Sequence, residues 1–599
     1  MKSATLVAIL LAVAFAFSPC LDNGFTTWDD DVYVTDNPLV ARGFPGGLPA
    51  IFTTFVSGNY HPLVVLSHAI ERRLFGLDPR PYHAVNLGLH LLVTALVFHL
   101  LLSLPGVSLA AAAAGALFFA VHPLRVETVA WVADRKDLLG AAFFLGGLAA
   151  HLRDLRQPGR TRRAAVLLLF LLALLSKATT VVFPVALLLC DWLHERLDAK
   201  AVTGKVSLFA LSLLFGGIAI AARQSYQGVL QEGGLGAGET VFLGAYRLLC
   251  HYLVRFALPG TAAFPLYPAV EPGIGALVLR LAGLAAALAA LGCLVALTLR
   301  RTRVVAFGAL FFLVTLLPSL SVEVLGFSAD RFTYLPAFGI SCVVAAAFHG
   351  LLASRPGRTA PGRVLAAAGA TAAAAALALA SRERCAVWRD SVSLWTAAVE
   401  TYRAAPRSAH NLAYAFLYRG EAWERQGDAP SALADLDRAV GISPGNPAFL
   451  AARGRVRAAG RDPGGARSDY DAALRLDPRH AGALIGRGIL SAEAGAFQDA
   501  LDDFSGALEA NPRNAEASFN LGVLHLNLGE DAKALAFFAR AAELDPGNAA
   551  ALYGRARSSF GLGDYRSASA DLERSMALGY PDDASLRDAL QQRMGDGRQ

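Results

Sequence analysis

Charge is scarce in this chain of 599 residues. Asp, Glu, Lys and Arg make up 17% of it against 55% hydrophobic residues, a balance too apolar for an ordinary soluble protein. The scarcity is uneven. Up to residue 381 long apolar stretches alternate with short polar ones; beyond it charged residues are frequent and no run is long enough to span a bilayer. Cysteine forms no pattern. Cys20, Cys190, Cys250, Cys293, Cys342 and Cys385 are scattered, with no CxxC or CxxH spacing, so neither a metal site nor a disulfide framework is supported. The net charge of +6 does not point to nucleic acid, because the clustered Arg lies in short loops between apolar segments, the pattern of positive-inside topology. The chain reads as all-α: a polytopic membrane domain over 1–381 followed by a soluble helical domain.

Apolar segments lie at about 4–19, 84–104, 107–121, 138–152, 164–176, 178–193, 206–222, 273–299, 304–320, 335–353 and 363–381. At ~20 residues per span, with snorkelling flanks for the shorter ones, they make about eleven crossings. The basic loops test the count: Arg153 to Arg163, Arg196 to Lys205, Arg300 to Arg303, and Arg355 to Arg363. With the N-terminus cytoplasmic, as Lys2 suggests, all four fall inside. The large loop 20–83 and everything after residue 382 fall outside. Ser176-Lys177 interrupts 164–193; merging that stretch into one helix would put the last two basic loops and the C-terminal domain on the opposite sides. The first segment also fits a cleavable signal peptide, with Ala14-Phe15-Ala16 as the cleavage-like triplet, and loop 20–83 stays outside either way. Segment 240–258 carries Arg247, His251 and Arg255 on one helical face and reads as an amphipathic helix at the outer interface or lining a cavity. Heavy Ala, Arg and Gly usage suggests a high-GC bacterium, hence its inner membrane.

After residue 400 a fixed period appears. Pro444, Pro478, Pro512 and Pro546 keep one step, as do Gly420, Gly454, Gly488 and Gly522, Ala432, Ala466, Ala500, Ala534 and Ala568, and Leu436, Tyr470, Phe504, Phe538 and Leu572. A step of about 34 residues with small residues at helix crossings and Pro after the second helix resembles the tetratricopeptide repeat. Five repeats fit, over 413–582, after a capping and linker segment at 382–412 and before a tail at 583–599. Pro406 leaves room for one extra helical turn in the first repeat. Such a solenoid is a binding surface, with Tyr414, Asn520 and Tyr553 as candidate acceptor-binding residues.

On the outer side lie Trp28-Asp29-Asp30-Asp31, Tyr60-His61-Pro62, Tyr82-His83 with Asn86 and His90, the run from His122 through Glu127 and Arg135 to Asp137, Ser176-Lys177, and Asp330-Arg331-Phe332-Thr333-Tyr334-Leu335-Pro336. Carboxylates, His and cations mix there, whereas the inner loops are mostly basic. These motifs, in this order and with repeats C-terminal, resemble the transmembrane and tetratricopeptide repeat-containing O-mannosyltransferases and their bacterial relatives, of the GT-C glycosyltransferase superfamily. The family often has Glu after the outer-side Lys; Ala178 stands there in this chain, so a contact to the lipid phosphate or the sugar is missing or different.

The resemblance implies a polyprenyl phosphate sugar donor in the membrane lipid, mannose being one such sugar, and an exported protein as acceptor held by the repeats. Asp29 or Asp30 is placed to act as general base on the acceptor hydroxyl, and Glu127 to orient the acceptor or pair with Arg135. Lys177, Arg135 and Arg331 are placed to stabilise the phosphate leaving group, with Asp31, His61, His83, Asn86, His122, Asp137 and Tyr334 completing the substrate side. A divalent metal on Asp29 and Asp30 is the other role open to the acidic run. Three adjacent Asp cannot all enter one site, so one catalytic and one supporting carboxylate are expected. The competing readings are a non-enzymatic membrane-anchored repeat scaffold for an envelope complex, and a transporter; the few mid-membrane charges speak against the latter.

Overall fold

Long apolar runs leave the backbone no partner but itself, and within lipid that favours helices. The computed structural model describes residues 1–43, 47–226, 252–259, 274–299, 302–319, 329–404 and 409–596, and among them it is helical, with a lone bridge between Val56 and Asn59 in place of any strand. Arg247, His251 and most of segment 240–258 lie outside the described residues; Arg255 is on the short helix Tyr252–Ala257. The chain divides into two compact units, Met1–Arg407 and Ser408–Gln599.

In the first unit, six helices among the described residues are long and apolar enough to cross a membrane: Lys2–Asp22, Pro79–Ser103, Val132–Arg156, Ala199–Ser225, Leu281–Leu299 and Ala360–Trp388. Leu109–Val121 and Pro123–Ala130 make a pair bent by 54°, and Ala178–Leu193, Val304–Ser319 and Ala337–Ala353 are shorter apolar helices. The remaining expected segment, 164–176, lies on the helix Arg160–Ser176. Large apolar side chains stay exposed on the long helices, Leu213, Leu288, Leu297 and Leu365 among them, as surfaces solvated by lipid would.

The stretch 164–193 is two legs, not one helix. Lys177 is extended (φ −155°), and a 3-10 turn, Ala178–Val182, starts the second leg. Two contacts fix the direction. Lys177 pairs with Asp137 in the first turn of the helix Arg135–Arg156, while His151 Nε2, near that helix's other end, meets Asp191 Oδ1 at 2.7 Å. Positions 137 and 151 are about 21 Å apart along a helix, so the chain turns back at Lys177. At the His151 end Lys205 also pairs with Asp191, and Arg303 reaches the Trp192 carbonyl. The basic loops thus gather at one end of the unit and the acidic and His-bearing motifs at the other.

The second unit repeats a helix pair. Its first helix, Ala409–Arg425, has 17 residues against 13 in Pro447–Ala459, the extra turn that the spacing from Pro406 implies. The periodic glycines let the paired helices touch: a Cβ on Gly454 would lie 2.8 Å from the Tyr470 ring, and one on Gly488 2.7 Å from Phe504. A second period runs alongside. Arg419–Asp435, Arg453–Asp469, Arg487–Asp503 and Arg555–Asp571 each join the two helices of one repeat. In the fourth repeat both partners change together, to Leu521 and Phe537. The segment expected as a tail forms the helix Ala584–Asp596, whose Leu586 and Leu590 cover the apolar face of the last repeat at Ala556, Ala568 and Leu572.

Candidate functional site

The motif end of the first unit is assembled from stretches far apart in the chain, among them the acidic loop, the helix Pro62–Phe75, the start of the helix Pro79–Ser103, residues 122–137 and residues 329–336. Their mutual docking uses many of the charges they carry. Glu127 takes the backbone N–H groups of Asp330 and Arg331 on Oε2, at 2.8 and 3.2 Å, and pairs with the Arg331 guanidinium through Oε1. Its cation is therefore Arg331 and not Arg135. Asp330 holds Arg255 and Arg384, and Arg125 donates to the Thr333 carbonyl at 3.0 Å and its hydroxyl at 2.6 Å.

Arg135 is fully buried, and each guanidinium nitrogen has a protein partner. Nε donates to Asn86 Oδ1 (2.8 Å), one Nη to Ser67 Oγ (3.2 Å) and to Glu71, and the other to the Tyr82 carbonyl (2.9 Å). It pins two helices together and is not presented to a ligand. Asn86 completes the tie by donating to the Trp131 carbonyl at 3.1 Å. His122 spans Phe256 O and Leu124 N–H, and the Tyr334 hydroxyl and His90 Nδ1 are 2.7 Å apart; both groups are enclosed. His83 is also buried, with Nε2 3.4 Å from the Gly24 carbonyl. These four expected substrate-side residues, Asn86, His122, Tyr334 and His83, stand as wall and strut.

The three aspartates separate. Asp30 is 1% exposed; Thr26 donates to its Oδ2 from N–H (2.8 Å) and hydroxyl (3.1 Å), and Ala133 N–H donates to Oδ1 (2.8 Å). It bolts the acidic loop to the turn before the Arg135 helix. Burial pushes its carboxyl up to about 7, against the pull of the Thr26 and Ala133 hydrogen bonds. Asp31 caps its own neighbour, taking Val32 N–H at 2.9 Å. Asp29 is half-buried, and no side-chain hydrogen bond commits its carboxylate among the described residues. Burial raises its pKa; Lys136 and then Arg331 pull it back, which places both cations within electrostatic reach.

Lys136, outside the residues that the sequence motifs single out, stands at the same place. Its ammonium lies 5.0 Å from the Tyr33 ring and 5.1 Å from the Trp131 ring, and the Arg331 guanidinium is 5.1 Å from Trp131 as well. Two cations thus flank one indole, which itself stacks on Trp388. Beneath them Asp134 is fully buried, with neither carboxylate oxygen hydrogen-bonded among the described residues. Lys177 pairs with Asp137 near the same place. His61 faces Tyr33 with ring centroids 5.1 Å apart; burial first, then Lys136, hold it well below the ordinary histidine range, so it is neutral. The only hint in the sequence was the run Asp134-Arg135-Lys136-Asp137, where consecutive residues on a helix point about 100° apart.

A metal on Asp29 and Asp30 does not fit. Asp30 spends its oxygens on three protein donors, and no group of three or more His, Cys, Asp or Glu placed to hold a metal ion occurs among the described residues. In the repeats, Tyr553 donates to Asp583 Oδ2 at 2.7 Å and stacks on Tyr580, while Tyr414 accepts from Asn446 Nδ2 at 3.2 Å. Asn520 is half-buried, and no side-chain hydrogen bond engages it among the described residues.

Known proteins resemble parts of this chain. A family model described as tetratricopeptide repeat matches residues 391–447, 451–510 and 493–549. Drosophila melanogaster protein O-mannosyl-transferase Tmtc1 is 37% identical over 133 residues, 22% of this chain and 15% of that protein. Drosophila melanogaster protein O-mannosyl-transferase Tmtc2 is 37% identical over 168 residues, 27% of this chain and 18% of that protein. Among solved structures, Pseudomonas aeruginosa pilF is 22% identical, covering 32% of this chain and 87% of that chain with a TM-score of 0.30. The chain thus spans under a fifth of the length of these two curated relatives, and it carries tetratricopeptide repeats together with a stretch similar to proteins named protein O-mannosyl-transferases.

Proposed function

We propose that the chain is a membrane glycosyltransferase that moves a sugar from a polyprenyl phosphate donor to a hydroxyl of an exported protein. The observation that carries this reading is the uncommitted, half-buried Asp29 carboxylate beside Lys136 and Arg331. Asp29 takes the proton of the acceptor hydroxyl as that oxygen attacks the sugar's anomeric carbon. The carbon–oxygen bond to phosphate breaks, and the phosphate keeps the electron pair. Lys136 and Arg331 stabilise the charge it develops, and the aromatic faces of Tyr33 and Trp131 hold Lys136 in place without neutralising it. Asp30, Glu127 and Arg135 are positioning residues: each fixes a segment that carries one of the reacting groups.

In this reading the motif end faces the periplasmic side of a bacterial inner membrane, the basic loops face the cytoplasm, and the repeats recruit the acceptor on the same outer side. The enzyme similarity of the Tmtc relatives supports the reaction class. The test is transfer by the purified full chain from a panel of polyprenyl phosphate sugars to an acceptor protein, with Asp29→Asn beside the unaltered protein. Transfer that Asp29→Asn removes is the expected result. Transfer unchanged in a folded Asp29→Asn protein would sink the assignment of Asp29, and no transfer from any donor would leave the scaffold reading in its place.

A further inference from the structure

Two cysteines that the sequence holds 365 positions apart meet in the first unit: Cys20 Sγ and Cys385 Sγ are 3.2 Å from each other, and both are buried. Each sits on a short 3-10 segment where an apolar helix ends, Ser18–Asp22 after the first and Cys385–Trp388 after the last. Hydrogen bonds on every side fix the two backbones. Asn23 Nδ2 donates to the Cys385 carbonyl (3.2 Å), Gly24 N–H to the Arg389 carbonyl (2.8 Å), Thr27 N–H to Ser391 Oγ (2.9 Å), and Arg382 to Ser18 Oγ (2.8 Å). No metal cluster among the described residues claims these thiols. Sulfurs already in contact at 3.2 Å need a closure of only about 1 Å to reach a bond length of about 2.05 Å.

We infer that Cys20 and Cys385 are a disulfide site, tying the first apolar helix to the chain that leaves the last one. The inference rests on the orientation proposed above, which puts both sulfurs in the outer, oxidising compartment. The oxidant is an oxidised dithiol carrier, acting before the two segments close over the sulfurs. One cysteine thiolate attacks the carrier's disulfide and forms a mixed disulfide, releasing the carrier's other sulfur as a thiolate. The second cysteine thiolate then displaces the carrier. The two cysteines lose two protons and two electrons, and the carrier leaves as a dithiol. The bond would clamp residues 20–28, the lead-in to Asp29, where Trp28 also packs on Trp395 with ring centroids 5.0 Å apart.

The experiment is differential alkylation of the full chain in native membranes. Membranes are acid-quenched, denatured and treated with N-ethylmaleimide, then reduced and treated with iodoacetamide, and each cysteine peptide is read by mass spectrometry. Cys20 and Cys385 are expected to carry the second label and Cys190 and Cys342 the first, with Cys20→Ser moving Cys385 to the first label. Without reduction, the Cys20 and Cys385 peptides are expected as one cross-linked species. The first label on both Cys20 and Cys385 in the unaltered protein would overturn the inference, as would a cross-link from either to Cys250. Free thiols in a protein that transfers sugar would sink the disulfide alone; a cross-link in a protein without transfer would sink the proposed function alone.

Discussion

Both units use carboxylate–cation pairs, but on opposite plans. In the repeats the pairs join residues 16 apart and recur with the period, and their arginines stay 14–29% exposed. At the motif end Arg135–Glu71 spans 64 positions and Arg331–Glu127 spans 204, and the Arg135 side chain is wholly enclosed. A local pair at the edge of water can be exchanged for an apolar one, because what is lost in attraction is recovered in desolvation. The fourth repeat has made that exchange, with Leu521 and Phe537 at the two positions and the His525 ring stacked on Phe537 at 5.4 Å. A long-range enclosed pair is harder to exchange, since its members hold other segments as well: Arg135 ties Asn86, Ser67 and the Tyr82 carbonyl besides Glu71, and Glu127 also takes the backbone of Asp330 and Arg331.

The largest effect that would sharpen this contrast is on chemistry. Asp29→Asn should lower transfer by about 10²–10⁴-fold in the donor panel while leaving the fold unchanged, because among the described residues no hydrogen bond engages the Asp29 side chain. Arg135→Met should instead destabilise the first unit, by about 3–5 kcal/mol, by leaving Glu71 buried without its cation; thermal unfolding in detergent measures it. A mild effect there would break the distinction between the two plans.

The next concerns pH. The Asp30 carboxyl is raised to about 7 in the fold, so between the unfolded value near 4 and pH 7 the unfolded chain gives up a proton that the folded one keeps. Asp30 therefore contributes stability that is present at low pH and lost as pH rises through this window, at about 1.4 kcal/mol per unit. Asp30→Asn should flatten that slope in a pH series of unfolding curves; an unchanged slope would show that Asp30 is not the titrating group.

In the repeats, Arg487→Leu should cost about 1–3 kcal/mol by stranding Asp503, and adding Asp503→Phe should restore most of it, copying the fourth repeat. Additive losses in that cycle would contradict the exchange argument. The smallest effect is Tyr553→Phe, which removes the hydrogen bond to Asp583 at a cost of about 0.5–1.5 kcal/mol in the melting of the second unit.

The chain order alone was enough for the helices, the 34-residue period, the extra turn in the first repeat and the break at Ser176-Lys177. Each is written in local pattern: hydrophobic length, a repeated Gly, Ala or Pro, a charge where lipid would not hold one. The Arg–Asp ladder is equally legible, being periodic. What the tertiary structure decided is how charges of like kind divide their labour. Asp29, Asp30 and Asp31 differ in nothing the sequence displays, yet one is left open, one is bolted to Ala133 and one caps its neighbour. Arg135 and Lys136 are adjacent cations, and only the rotation of one helix sends the first into a closed cage and the second toward Asp29. The reason is physical: a side chain's role is set by which partners reach it, and at this end those partners come from segments tens to hundreds of residues away, which no local pattern encodes.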